Sequence, residues 1–179
     1  GWQPNLLTSS EFAKTDFRQN FFVKRVLAEG QHCVIGGPPK AMKTGLAIDL
    51  AVSLGTGTPF LSNDDFFVPQ RVRTCVLSGE SGGFTLQHTA DRICKARNRI
   101  LSTADILWGF DLPQLSNTEH LKSLEEMIRT KEVRVLIIDP AYLCLLAGNS
   151  QSNPANVFAM GEVLRRVGDL GQRTDCTVV

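Results

Sequence analysis

Lys43 and Thr44 follow the run Cys33-Val34-Ile35-Gly36-Gly37-Pro38-Pro39-Lys40-Ala41-Met42, an order of residue types that suits the binding of a phosphate group. A short apolar stretch leads into a turn of small residues, and the turn leads into a helix beginning at the lysine. Backbone N–H groups at a helix N-terminus lack partners inside the helix, and the helix dipole adds positive potential there. Gly37, Pro38, Pro39, Lys40, Ala41, Met42, Lys43 and Thr44 therefore make a candidate phosphate cradle. Pro38 and Pro39 have no N–H, so the donors fall mainly to Lys40 through Thr44. Lys43 would reach the β- and γ-oxygens of a nucleoside triphosphate, and Thr44 would place its hydroxyl on Mg²⁺. Met42 stands where this loop pattern has glycine. If that backbone position needs φ > 0, the side chain costs about 1 kcal/mol or more.

Two acids stand at the ends of other apolar runs. Asp139 closes residues 133–138, the most apolar strand-like run in the chain, just before Pro140. An acid there is placed to complete a Mg²⁺ site, because ligands collect at the carboxyl ends of parallel strands. Glu80 follows residues 73–78 and lies among small residues, Gly79 and Ser81-Gly82-Gly83. A carboxylate so placed can orient or deprotonate a water that attacks the γ-phosphate. The three histidines, His32, His88 and His120, are unclustered and support neither a metal site nor a histidine-based triad. The basic stretch Arg92…Lys95-Ala96-Arg97-Asn98-Arg99 reads as the solvated face of an amphipathic helix, as do Arg165-Arg166 and Arg173.

The elements that must position these residues alternate. Strands are expected at residues 31–36, 73–78, 106–110, 133–138 and from Thr177 onward. Helices are expected from Lys43 to about Leu54, over about 84–101, and after the stretch Ser116-Asn117-Thr118-Glu119, which reads as a capping box. A further helix should follow Asn153-Pro154 and carry Val157, Leu164, Val167 and Leu170. Leu46, Ala47, Leu50, Ala51 and Leu54 give the first of these a half-buried stripe, and Gly55 and Gly57 are expected to stop it. Ser9, Ser10 and Glu11 suggest a short helix near the start. Alternation of this kind predicts an α/β fold with a mostly parallel sheet flanked by helices. Residues 1–30 read as a lead-in and 31–179 as one core domain. The sequence stops on a strand with no helix to cover it, so the core is expected to be truncated at its C-terminus.

Composition bounds the reading. The 179 residues are 42% hydrophobic and 21% charged, with net charge +1, so no basic excess advertises nucleic acid or an anionic membrane. No apolar run is long enough to span a bilayer, and no signal-peptide pattern opens the chain. The five scattered cysteines, without CxxC spacing, read as buried reduced thiols of a cytoplasmic protein.

Taken together, the chain resembles a RecA-like P-loop NTPase, and most closely the RepA-like branch of AAA family ATPases, which resembles hexameric replicative helicases. The matching stretches are Gly36-Gly37-Pro38-Pro39-Lys40…Lys43-Thr44, Gly57-Thr58-Pro59-Phe60-Leu61, Val76-Leu77-Ser78-Gly79-Glu80, Leu136-Ile137-Ile138-Asp139-Pro140 and the polar turn Gly148-Asn149-Ser150…Asn153. The resemblance implies ATP and Mg²⁺ as ligands. It implies Lys43 and Thr44 on phosphate and metal, Asp139 as the Walker B acid and Glu80 as the catalytic glutamate. It further implies a homo-oligomer, hexameric in that branch, acting on nucleic acid, with an arginine from a neighbouring subunit at the γ-phosphate. Two alternatives stay open at this point: a P-loop kinase for a small molecule, and a nucleotide-gated assembly module without turnover.

Overall fold

The computed structural model describes residues 3–146 and 157–179. The expected cap at Asn153-Pro154 and the polar turn at 148–153 lie outside the described residues. Four parallel strands form the central sheet: β3 (Thr74–Ser78), β4 (Ile106–Gly109), β5 (Val135–Asp139) and β6 (Thr177–Val178), in the order β4-β3-β5-β6. A small antiparallel pair, β1 (Phe21–Val23) and β2 (Leu27–Ala28), precedes them. The helices are α1 (Ser9–Lys14), α2 (Lys43–Thr56), α3 (Gly83–Ala96), α4 (Thr118–Thr130), α5 (Ala141–Leu146) and α6 (Val157–Thr174). The chain is thus α/β with a parallel sheet, as the alternation predicts.

Strand alternation sorts the core into two layers. Val76, Val135 and Ile137 point to one face and pack with Ala47, Leu50, Ala51 and Leu54 of α2 and with Phe22, Val23 and Leu27. Cys75, Leu136 and Ile138 point to the other face, toward Leu124 and Ile128 of α4 and Val167 and Leu170 of α6. On its far side α2 presents Ile48 and Val52 to Leu86, Ala90 and Cys94 of α3. Each fully buried aliphatic side chain contributes about 1.5–3 kcal/mol, so α2, buried on two sides, is held by packing more than by propensity. All five cysteines are free, and burial pushes the Cys176 thiol up to about 12 and those of Cys75 and Cys144 to about 11. Among the described residues, no helix is long and apolar enough to cross a membrane.

Several expected boundaries move, each for a physical reason. Residues 31–36 are an extended segment rather than a strand. The segment makes one backbone bond to β6, from Cys33 N to Val178 O at 3.0 Å. The helix expected to stop at Gly55 continues to Thr56. Gly57 closes it at φ 71°, its N–H donating to Ser53 O at 2.9 Å. Gly55 answers a packing need instead, since a Cβ there would stand 2.5 Å from Ile106 Cγ1. The helix expected over 84–101 ends at Ala96, because Arg97 leaves helical geometry and Asn98 turns to φ 53°. The expected capping box before α4 does not close. Asn117 is the cap, its Oδ1 accepting from Glu119 N at 2.9 Å, while the Glu119 carboxylate takes Lys122. A reciprocal box forms at α1 instead, between Thr8 and Glu11. Leu164, expected on the apolar stripe of α6, is exposed, while Val167 and Leu170 are buried.

Candidate functional site

The loop ahead of α2 is pinned at its start. Besides the Cys33 bond, His32 Nδ1 accepts from Val178 N at 3.0 Å. The turn closes on Pro38 O, which accepts from Ala41 N at 3.3 Å. Lys40 (φ 64°) and Met42 (φ 57°, ψ 23°) both take left-handed backbone, on either side of Ala41. Alternating backbone of this kind turns successive N–H groups toward one concavity, an arrangement that suits an anion. Met42 is the N-cap of α2, and its side chain makes no capping bond. The first-turn N–H groups of Lys43, Thr44 and Gly45 therefore have no partner within the helix. Lys43 Nζ folds over the start of the loop and donates to Gly37 O at 3.1 Å and Pro38 O at 2.8 Å. Two of its three donors fix the ammonium beside the helix N-terminus, where it adds a full charge to the dipole.

The two acids come together through the sheet. Ser78 and Asp139 are register partners at the carboxyl ends of β3 and β5. By alternation both follow Val76 and Ile137 onto the α2 face, the face whose helix begins in the loop. Gly79 N donates to Asp139 O at 3.0 Å, which ties the turn carrying Glu80 to the end of β5. Glu80 itself is exposed, and its Oε1 accepts from the phenol of Tyr142 on α5. That bond, with partial burial and the carboxylate's charge behind it, raises the Tyr142 hydroxyl above its ordinary pKa.

Three residues escape a reading of the sequence. Ser78 is buried, and its Oγ has no hydrogen-bond partner among the described residues. A hydroxyl ending an otherwise apolar strand beside Asp139 was the available signal. Tyr142 carried none beyond its nearness to Asp139. Asp49, within the apolar helix, belongs with a correction to the basic stretch. Arg97 is not on a solvated face, its side chain being 6% exposed. It reaches both carboxylate oxygens of Asp49, at 2.7 and 2.6 Å, and donates to Ser53 Oγ at 2.7 Å. Leu61 N donates to the same carboxylate at 2.9 Å, so Asp49 ties α2 both to the end of α3 and to the following loop. Arg165 and Arg173 stay partly exposed and make ion pairs with Asp169 and Glu125.

The donor set suits a hard divalent cation next to phosphate. Thr44, Ser78 and Asp139 offer only oxygen, and Ser78 Oγ is a buried oxygen that nothing among the described residues satisfies. Among the described residues no three His, Cys, Asp or Glu side chains cluster as a metal site. Mg²⁺ requires no such cluster, since it is held by one or two carboxylates together with substrate phosphates. A family model described as an AAA domain matches residues 4–179. The chain matches no curated protein.

Proposed function

The chain belongs to the AAA domain family of P-loop ATPases, and on that premise we propose that it binds ATP·Mg²⁺ at residues 37–44 and hydrolyses the γ-phosphate. The observation that carries this reading is the uncapped start of α2, where left-handed Lys40 and Met42 and the anchored Lys43 ammonium make one positive concavity. Backbone N–H groups of the loop bind the phosphate oxygens, and Lys43 neutralises charge as it builds on them. Thr44 and Asp139 would hold Mg²⁺, which when bound would screen the charge of the phosphates. Glu80 orients a water and takes its proton as the water's oxygen bonds to the γ-phosphorus, the bond from that phosphorus to the bridging oxygen breaks, and ADP leaves with that oxygen.

The resemblance to RepA-like helicases supports a finer reading. In it the chain assembles with copies of itself, a hexamer in that branch, and spends hydrolysis on nucleic acid. An arginine from a neighbour then completes each site, so the rate per chain rises with protein concentration. A rate per chain that is flat across the range where assembly occurs contradicts that part of the reading.

The test of hydrolysis is Glu80→Gln. It keeps ATP binding and lowers turnover by about 10²-fold or more, measured as phosphate release. Hydrolysis by Glu80→Gln at the unsubstituted rate removes Glu80 as the base. Label passing from ATP to a small-molecule acceptor in preference to water makes the chain a kinase instead.

A further inference from the structure

Tyr142 is the one tyrosine in the chain. It stands on the first turn of α5, which begins directly after Asp139-Pro140. The backbone beneath it is anchored. Cys144 is buried in the core with Leu136 and Ile138, and its carbonyl accepts from Leu115 N at 3.1 Å. Leu143 packs toward the Glu80 turn, its Cδ1 3.6 Å from where a Cβ on Gly79 would stand. From this support the Tyr142 hydroxyl donates to Glu80 Oε1.

Glu80 needs such a partner. It sits in the short turn between β3 and α3, where Gly79 is packed against Leu112 and Gly82 caps the helix, and Glu80 itself is exposed. One backbone bond, from Gly79 N to Asp139 O, fixes the root of the turn but not the side chain. Tyrosine has only two side-chain torsions to order, so it restrains a neighbour at low entropic cost. A carboxylate has two oxygens, and a phenol on one leaves the other able to accept a proton. A base held by a third group is the arrangement that keeps proton transfer in register.

Building on the proposed hydrolysis, we infer that Tyr142 is a positioning residue: its hydroxyl holds Glu80 Oε1 so that Oε2 serves as the proton acceptor for the attacking water. Tyr142→Phe removes the hydroxyl and nothing else. It lowers kcat about tenfold, with the ATP Kd and the denaturation midpoint unchanged. Placed on Glu80→Gln, the same substitution has no further effect, because the base it positions is already gone. The sole tyrosine also gives a reading that does not depend on activity. Tyrosinate absorbance reports Tyr142 alone, and it appears at higher pH in the unsubstituted chain than in Glu80→Ala, where the hydrogen bond and the carboxylate charge are gone. Among the described residues, Glu80 is the charged group that acts on this phenol.

Tyr142→Phe hydrolysing at the unsubstituted rate overturns the inference. So does a loss that falls on ATP affinity or stability, or the same tyrosinate titration with and without Glu80. A chain that binds no nucleotide defeats the ATPase reading instead. A raised Tyr142 titration in that chain makes the contact structural only, and the positioning role falls with it.

Discussion

Met42 holds left-handed backbone at the head of α2 with its side chain 78% exposed, so no packing repays the conformation. A non-glycine residue there costs about 1–2 kcal/mol, and glycine returns part of that gain as extra entropy in the unfolded chain. Met42→Gly is therefore expected to stabilise the protein by about 0.5–1 kcal/mol, while Met42→Ala gains nothing. Denaturant unfolding checks this as a higher midpoint at unchanged slope. A lower midpoint for the glycine variant would show that the methionine side chain stabilises the loop. The cost of methionine was foreseeable from the loop pattern once the backbone angle was in question. Ser78 and Tyr142 were not, because their importance lies in a neighbouring strand and in a contact 62 positions away along the chain.

At the scale of elements, α2 follows the candidate phosphate loop, α3 follows the turn that carries Glu80, and Arg97 joins the two helices. α2 starts in the loop, and α3 starts three residues after Glu80. The Arg97 fork on Asp49 is almost fully desolvated, so Arg97→Met leaves a carboxylate without its partner. The expected loss is about 3–5 kcal/mol, read by chemical denaturation. Adding Asp49→Leu should recover much of it, since a buried ion pair is often worth no more than well-packed apolar side chains. A loss under 1 kcal/mol in Arg97→Met would mean that water reaches the pair. Sequence periodicity gave α2, β3 and β5 nearly as they stand, since each rests on a repeating apolar pattern. It mistook residues 31–36 for a strand because apolar content alone does not show whether a segment's backbone groups enter a ladder. It left Arg97 on the surface because charge composition cannot show that a partner waits on the preceding helix, α2.

For the whole molecule, a parallel sheet covered on both faces places the candidate site residues at one edge. The loop before α2, the ends of β3 and β5 and the start of α5 all lie at the carboxyl ends of the strands, where a ligand meets several elements at once. Assembly and action on nucleic acid both presuppose that this edge binds a nucleotide. The most direct measurement is a calorimetric titration of ATP·Mg²⁺ into the chain, beside Lys43→Ala. Saturable binding in the micromolar range by the unsubstituted chain, lost in Lys43→Ala while its fold is intact, is the predicted result. No binding by the unsubstituted chain, or equal binding by both, would contradict the account.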